Sequence, residues 1–186
     1  MSSLKNFLKK KGVQTVRGCC KVCRSEVEGA EKAGAGGYDL RIYLDMCCYN
    51  RPYDDQSQLK VAMETQSKLY IQSLIKDKKL ELIVSYMLRY ECSKNPFEMR
   101  RNTIFDFMRE NAFGYVGDER KEIVEAKAAE IMKTGVKFKD ACHVASAIYA
   151  GCEYFISTDV RLLKYRTEEI KMVTPIEFIA EMEGDE

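Results

Sequence analysis

The sequence contains no run approaching the roughly 20 consecutive apolar residues that a bilayer-spanning helix requires, so a helical membrane protein is excluded. It also lacks, near its N-terminus, the apolar stretch that a secretory signal places between its charges and its cleavage site. The expected location is therefore cytoplasmic, and its eight cysteines are read as reduced thiols rather than a disulfide framework. Zinc is poorly provided for. Cys20-x-x-Cys23, with Cys19 beside it, has no second Cys-x-x-Cys or His-x-x-x-His pair to complete four ligands, and His143 is the only histidine. There is no internal repeat, and no Gly-rich phosphate loop or nucleotide fingerprint.

Net charge is also small, at +1 over 186 residues, yet it is unevenly spread. Residues 1–40 carry eight Lys or Arg against four acids, a net +4, and the remainder carries 22 against 25, a net −3. The glycines of Gly34-Ala35-Gly36-Gly37 mark a boundary, because such a run suits neither a helix nor a strand interior. Residues 1–37 are accordingly expected to be a flexible basic leader, a solvated tail that also attracts phosphates weakly, and 38–186 the folded domain. Apolar residues at 46% and charged residues at 32% suit a single domain with a proper core.

Within that domain, Leu40-Arg41-Ile42-Tyr43-Leu44 is a β-favouring run stopping at Asp45, followed by a polar loop, Asn50 to Asp55. Helical spacing of apolar residues runs from Gln58 to Lys76, and its stripe of Leu59, Met63 and Leu69 is expected in the core or on a dimer surface. Leu80–Val84 reads as a buried strand, and Ser85 as the cap of a helix carrying Met87, Leu88 and Glu91. Helices are expected from Phe97 to about Asn111, from Asp118 to Lys133 and from Lys139 to Tyr149. Gly114, Gly117 and Gly135 act as punctuation, and Gly151 as a left-handed cap. Tyr154–Ser157 is a strand leading into Asp159, a helical turn follows, and Ile170–Val173 is the last strand before a Pro175-led helix. This alternation implies an α/β fold with a mainly parallel sheet flanked by helices.

In such sheets ligands bind outside the carboxyl ends of the strands, where Asp45 and Asp159 both fall. Glu91 and Asp140 lie on helices whose connections bring them to the same rim. Four converging carboxylates repel one another unless a cation neutralises them, and hard oxygen donors suit Mg²⁺ or Mn²⁺. Such an ion would orient a phosphodiester and lower the pKa of a bound water.

These residues resemble the PIN-domain family, and in particular the toxin ribonucleases of toxin–antitoxin systems. Asp140-Ala-Cys-His143-Val-Ala-Ser-Ala-Ile-Tyr-Ala-Gly151 followed by Phe155-Ile-Ser157-Thr-Asp159 looks like the family's third and fourth acidic motifs. Tyr43-Leu44-Asp45 is similar to its first, and Glu91 falls where the second acid belongs. The resemblance covers about residues 40 to 182. It implies a PIN-like three-layer fold and an Mg²⁺- or Mn²⁺-dependent endoribonuclease with Asp45, Glu91, Asp140 and Asp159 at the catalytic metal site and Ser157 supporting it. Single-stranded RNA, an antitoxin protein and a second copy in a homodimer are the partners it implies. The chain departs from the family at Cys47, where Ser, Thr or Asn is common, and a thiol is a poor partner for hydrated magnesium. A PIN-like RNA-binding module of weak or no turnover is therefore the alternative.

Plainer roles exist for each residue. Asp45 can end a strand, Asp140 cap a helix and Asp159 cap a turn. His143 suits packing or a supporting hydrogen bond better than catalysis. Asn50, Arg51 and Lys164 are candidates for RNA contacts, Tyr49 and Tyr53 for base stacking, and Asp54 and Asp55 belong to a solvated turn. A phosphatase or receiver domain would also place acids at strand ends, but Asp45 lacks the acid two positions later and no lysine ends a later strand.

Overall fold

A computed structural model describes residues 40–184, so the basic leader assigned to 1–37, with Cys19, Cys20 and Cys23, lies outside the described part. Five strands form one parallel sheet in the order β3-β2-β1-β4-β5: β1 Leu40–Leu44, β2 Leu80–Ser85, β3 Ala112–Val116, β4 Tyr154–Ile156 and β5 Lys171–Val173. The helices are α1 Met46–Asn50, α2 Leu59–Lys76, α3 Tyr86–Ser93, α4 Glu98–Asn111, α5 Lys121–Met132, α6 Phe138–Tyr149 and α7 Pro175–Gly184. Single 3₁₀ turns occur at Arg51–Tyr53, Asp118–Arg120 and Leu162–Lys164. From β1 the chain steps outward through β2 to β3, then returns across the sheet to β4 and β5. Right-handed crossovers in opposite directions must lie on opposite faces, which puts α1–α4 on one side and α5–α6 on the other. The result is the three-layer arrangement expected from the alternation of elements.

Central position explains the composition of β1. Ile42, Tyr43 and Leu44 are fully buried, as are Leu82 and Ile83 of β2 and Phe155 and Ile156 of β4, because a parallel sheet covered on both faces has no wet side. Tyr43 stacks on Phe155 at 5.3 Å between ring centroids. Around this, α2 buries Ile71, Leu74 and Ile75, and α6 buries Ala141 through Ala147 without a gap. Small alanines at 141, 145 and 147 let α6 sit close, so a helix between sheet and α5 needs almost no polar face.

One sequence expectation changes and another narrows. Gly114 does not punctuate a loop but lies inside β3, where it pairs with Ile83 beside a register irregularity at Leu82/Ile83. β3 is an edge strand that begins at the C-cap of α4, so no turn residues announce it, and an interior glycine at a bulge is a recognised exception in strands. Of the two places expected for Leu59, Met63 and Leu69, core or dimer surface, exposures of 76%, 48% and 44% remove the core. The buried stripe of α2 is offset from them. No helix among the described residues is long and apolar enough to cross a membrane.

Gly151 adopts φ 66°, the left-handed conformation expected of it after α6. A methyl group there would meet only Arg41 Nη1, at 3.7 Å, so backbone strain alone is at issue. Gly151→Ala is expected to lower stability by about 1 kcal/mol, measured by urea unfolding.

Candidate functional site

The order β3-β2-β1-β4-β5 reverses direction between β1 and β4, and that switch point is where crevices open in parallel α/β sheets. Asp45 follows β1 and Ser157-Thr158-Asp159 follows β4, so the two segments flank the crevice. The Asp45 amide donates to Ile156 O at 2.9 Å, tying the segments together. A receiver domain has strand order 2-1-3-4-5, which this sheet does not follow.

Asp45 is the N-cap residue of α1 and is only 7% exposed. Its Oδ1 accepts the Met46 amide at 2.7 Å, and its Oδ2 accepts the Ser157 hydroxyl at 2.7 Å and the Cys47 thiol at 3.1 Å. Ser157 Oγ in turn receives the Asp159 amide at 3.0 Å, while Cys47 Sγ receives the Thr158 amide at 3.2 Å. Cys47 thus donates to the same carboxylate oxygen that Ser157 serves.

Glu91, on α3, sits between two donors: Lys139 Nζ is 3.2 Å from Oε1 and His143 Nε2 is 3.0 Å from Oε2. Burial pushes the Glu91 carboxyl up, but the hydrogen bonds and charges of His143 and Lys139 outweigh it and hold the group below the ordinary glutamate range. An ionised carboxylate only accepts, so Nε2 of His143 carries a proton. Its Nδ1 shares a hydrogen bond of 2.8 Å with the Tyr43 hydroxyl. Tyr43 Oη also shares a hydrogen bond with Ser85 Oγ at 2.6 Å, and Ser85 Oγ accepts the Leu88 amide at 3.2 Å as the cap of α3. One continuous chain of hydrogen bonds therefore links the start of α3, through Tyr43 and His143, to Glu91.

Asp140 is the third residue of α6; Lys137 is the N-cap, so Asp140 does not cap the helix. Its proton affinity is raised, first by burial and then by the charges of Asp45, Asp159 and Glu91, against an opposing contribution from His143. Electrostatically, the four acids share one region. Asp159 differs: burial raises it, but the Arg161 backbone amide, 2.8 Å from Oδ1, and the Arg161 side chain bring it below the usual range. Asp159 therefore also caps the turn after it.

The remaining candidates spread out. Asn50 lines an open cleft beside Glu91, where its Nδ2 donates to Met46 O. Arg51 turns inward: Nη1 pairs with Asp54 at 3.0 Å, and Nε stands 2.9 Å from the buried carboxylate of Glu64 in an orientation too poor for a hydrogen bond. Asp55 holds the Ser57 amide in the following turn. Lys164 is exposed in its 3₁₀ turn. Tyr49 is buried and packs edge-on against Phe107, whereas Tyr53 is 43% exposed. The sequence reading missed Tyr43, Lys139 and the cleft residues Lys94, Phe97 and Arg100. An aromatic residue opening a polar helix was the available signal for Phe97. Nothing in a buried strand marks Tyr43 as a relay.

Hard oxygen donors of the kind found here suit Mg²⁺ or Mn²⁺. As the side chains stand, however, no three His, Cys, Asp or Glu groups among the described residues gather as ligands for one ion. Fold and crevice define a three-layer α/β protein with an acidic rim at the switch point of a parallel sheet. No protein-family model matches this chain, and no curated protein matches it.

Proposed function

We propose that this chain is a PIN-like RNA-binding module whose acidic pocket has weak or no turnover. The observation that carries the reading is that three of the four acids are already engaged by the chain's own donors. Asp45 is held by the Met46 amide, Ser157 and Cys47, Glu91 by Lys139 and His143, and Asp159 by Arg161. A divalent ion would have to compete with these partners. Beside the rim, the cleft lined by Lys94, Arg100 and Lys139 supplies positive charge for phosphates. The fold-level resemblance contributes the polymer, RNA, which in a single-stranded form presents both phosphates and bases.

A metal-dependent endoribonuclease, with an antitoxin as its inhibitor, is the second reading. It is favoured by the raised proton affinity of Asp140 in the field of Asp45, Asp159 and Glu91, since such a group gains most from a neutralising cation. The residues that would hold the ion are Asp45, Glu91, Asp140 and Asp159, and bound there it would supply charge neutralisation at a phosphodiester.

The deciding experiment follows one labelled single-stranded RNA. Binding by fluorescence anisotropy is expected to persist in EDTA, and no cleavage is expected on gels with Mg²⁺ or Mn²⁺ over hours. Multiple-turnover cleavage that EDTA stops and Asp140→Asn abolishes would replace the module reading with the nuclease.

A further inference from the structure

The open cleft of about 350 Å³ beside Glu91 is a second feature of the rim, built from different chemistry. Its walls include Glu91 and Lys139 from the acidic side, and Lys94, Asn95, Phe97 and Arg100 from the segment joining α3 to α4. That volume lies at the lower end of small-molecule sites, ~300–1,000 Å³.

Its geometry is unusual for a surface segment. The Arg100 guanidinium lies over two rings at once, 4.4 Å from the Tyr53 centroid and 4.8 Å from the Phe97 centroid. Arg100 Nε is buried without a hydrogen-bond acceptor, so the planar group is held by stacking rather than by an ion pair at that atom. Phe97 remains 61% exposed although one side of its ring is covered, leaving an apolar aromatic surface open to solvent. Lys94 and Lys139 line the same cleft, and their ammonium groups lie over the Tyr90 ring, Nζ at 5.5 Å and 5.9 Å from its centroid.

The segment carrying these groups is anchored rather than loose. Asn95 Oδ1 accepts the Phe97 amide at 3.1 Å, its carbonyl accepts Arg101 Nη1 at 3.0 Å, and its Nδ2 donates to Asn50 Oδ1 at 3.2 Å. Asn50 ends the helix that Asp45 begins, so the cleft and the acidic rim are held in register through α1. An aromatic face and several cations lining one cleft are the combination that binds an unpaired nucleotide. Stacking is tolerant of base identity, and the cations follow the backbone.

We propose that this cleft seats one nucleotide of single-stranded RNA next to the acidic rim, its base stacked on the Phe97–Arg100 pair and its flanking phosphates on Lys94 and Lys139. The proposal rests on the RNA-binding reading and adds the residues that read the strand. It also gives Lys139 two duties, since the same ammonium pairs with Glu91.

The chain contains no tryptophan, so Phe97→Trp creates a single fluorescent reporter at the seat. In the full chain, a short unlabelled single-stranded RNA is expected to quench that fluorescence on binding. Phe97→Ala is expected to weaken affinity for the same RNA about tenfold, within the range known for loss of one base–aromatic stack. Lys94→Gln is expected to make the dependence of log affinity on log salt shallower by about 0.7, the loss of one single-strand phosphate contact. Phe97 is exposed and its side chain caps nothing, so circular dichroism of these variants should match the parent. If the parent binds RNA while Phe97→Ala binds equally well and Phe97→Trp stays unquenched, the seat is wrong and the RNA-binding reading survives. If the parent binds no RNA at all, both fall. An unchanged salt slope in Lys94→Gln overturns the phosphate half of the assignment.

Discussion

His143→Ala is expected to destabilise the protein by about 3–5 kcal/mol in urea unfolding, the largest effect of any polar substitution considered. His143 is 1% exposed and lies between Tyr43 on one side and Glu91 on the other. Truncation removes three contributions together. It opens a cavity beside the Tyr43–Phe155 stack, it removes one of the two hydrogen-bond partners of the buried Tyr43 hydroxyl, and it strips the Glu91 carboxylate of one of two donors. Loss of the hydrogen bond to the Glu91 carboxylate costs about 1.5–3 kcal/mol by itself, and the cavity adds a comparable amount. Tyr43→Phe is the control, because it keeps the packing and breaks only the hydroxyl contacts. It should cost about 1–2 kcal/mol. A loss below 1 kcal/mol for His143→Ala would mean that the hydrogen-bonded chain from Ser85 to Glu91 is not formed in solution.

The second large effect concerns Asp140 and changes sign with conditions. In EDTA at pH 7, Asp140→Asn is expected to be more stable than the parent, since the amide removes a half-buried charge from the field of Asp45, Asp159 and Glu91. Because the folded state raises the proton affinity of Asp140, its favourable contribution is complete below the unfolded carboxylate range, near pH 3.9, and is lost as pH rises through the folded pKa. The advantage of the asparagine variant should therefore appear as pH rises from the acid side and level off above the folded value. Thermal unfolding across that range checks it. Saturating Mn²⁺ separates the two functional readings. An ion bound at 100 times its dissociation constant adds about 2.7 kcal/mol to whichever form binds it. Under the nuclease reading the parent gains this and Asp140→Asn does not, so the order of stability inverts. Under the module reading the order is unchanged.

Much of the fold was readable because its signals are local. β1, β2 and β4 are unbroken β-favouring runs, α2 carries helical spacing for 18 residues, and Gly151 could only end a helix. β3 was hidden, because its glycine and its direct entry from α4 resemble a linker in one dimension. The exposed position of Leu59, Met63 and Leu69 was hidden too. Periodicity locates an apolar stripe but does not say which neighbour, if any, covers it. For the site, the positions of Asp45 and Asp159 after strands were legible, and so was a packed, hydrogen-bonded place for His143. The inward turn of Arg51 toward Glu64 was not, as a lysine or arginine in a loop carries no mark of its partner.

The sequence by itself determined the parallel α/β class and placed acids at strand ends, since periodicity and strand-terminal position are properties of neighbouring residues. Only tertiary structure decided what each acid touches. Tyr43 and His143 are 100 positions apart, and Glu91 and His143 are 52 apart. Whether a carboxylate at the crevice is open or already held depends on these distant partners, because hydrogen bonds and screened charges act over ångströms in space and not along the chain.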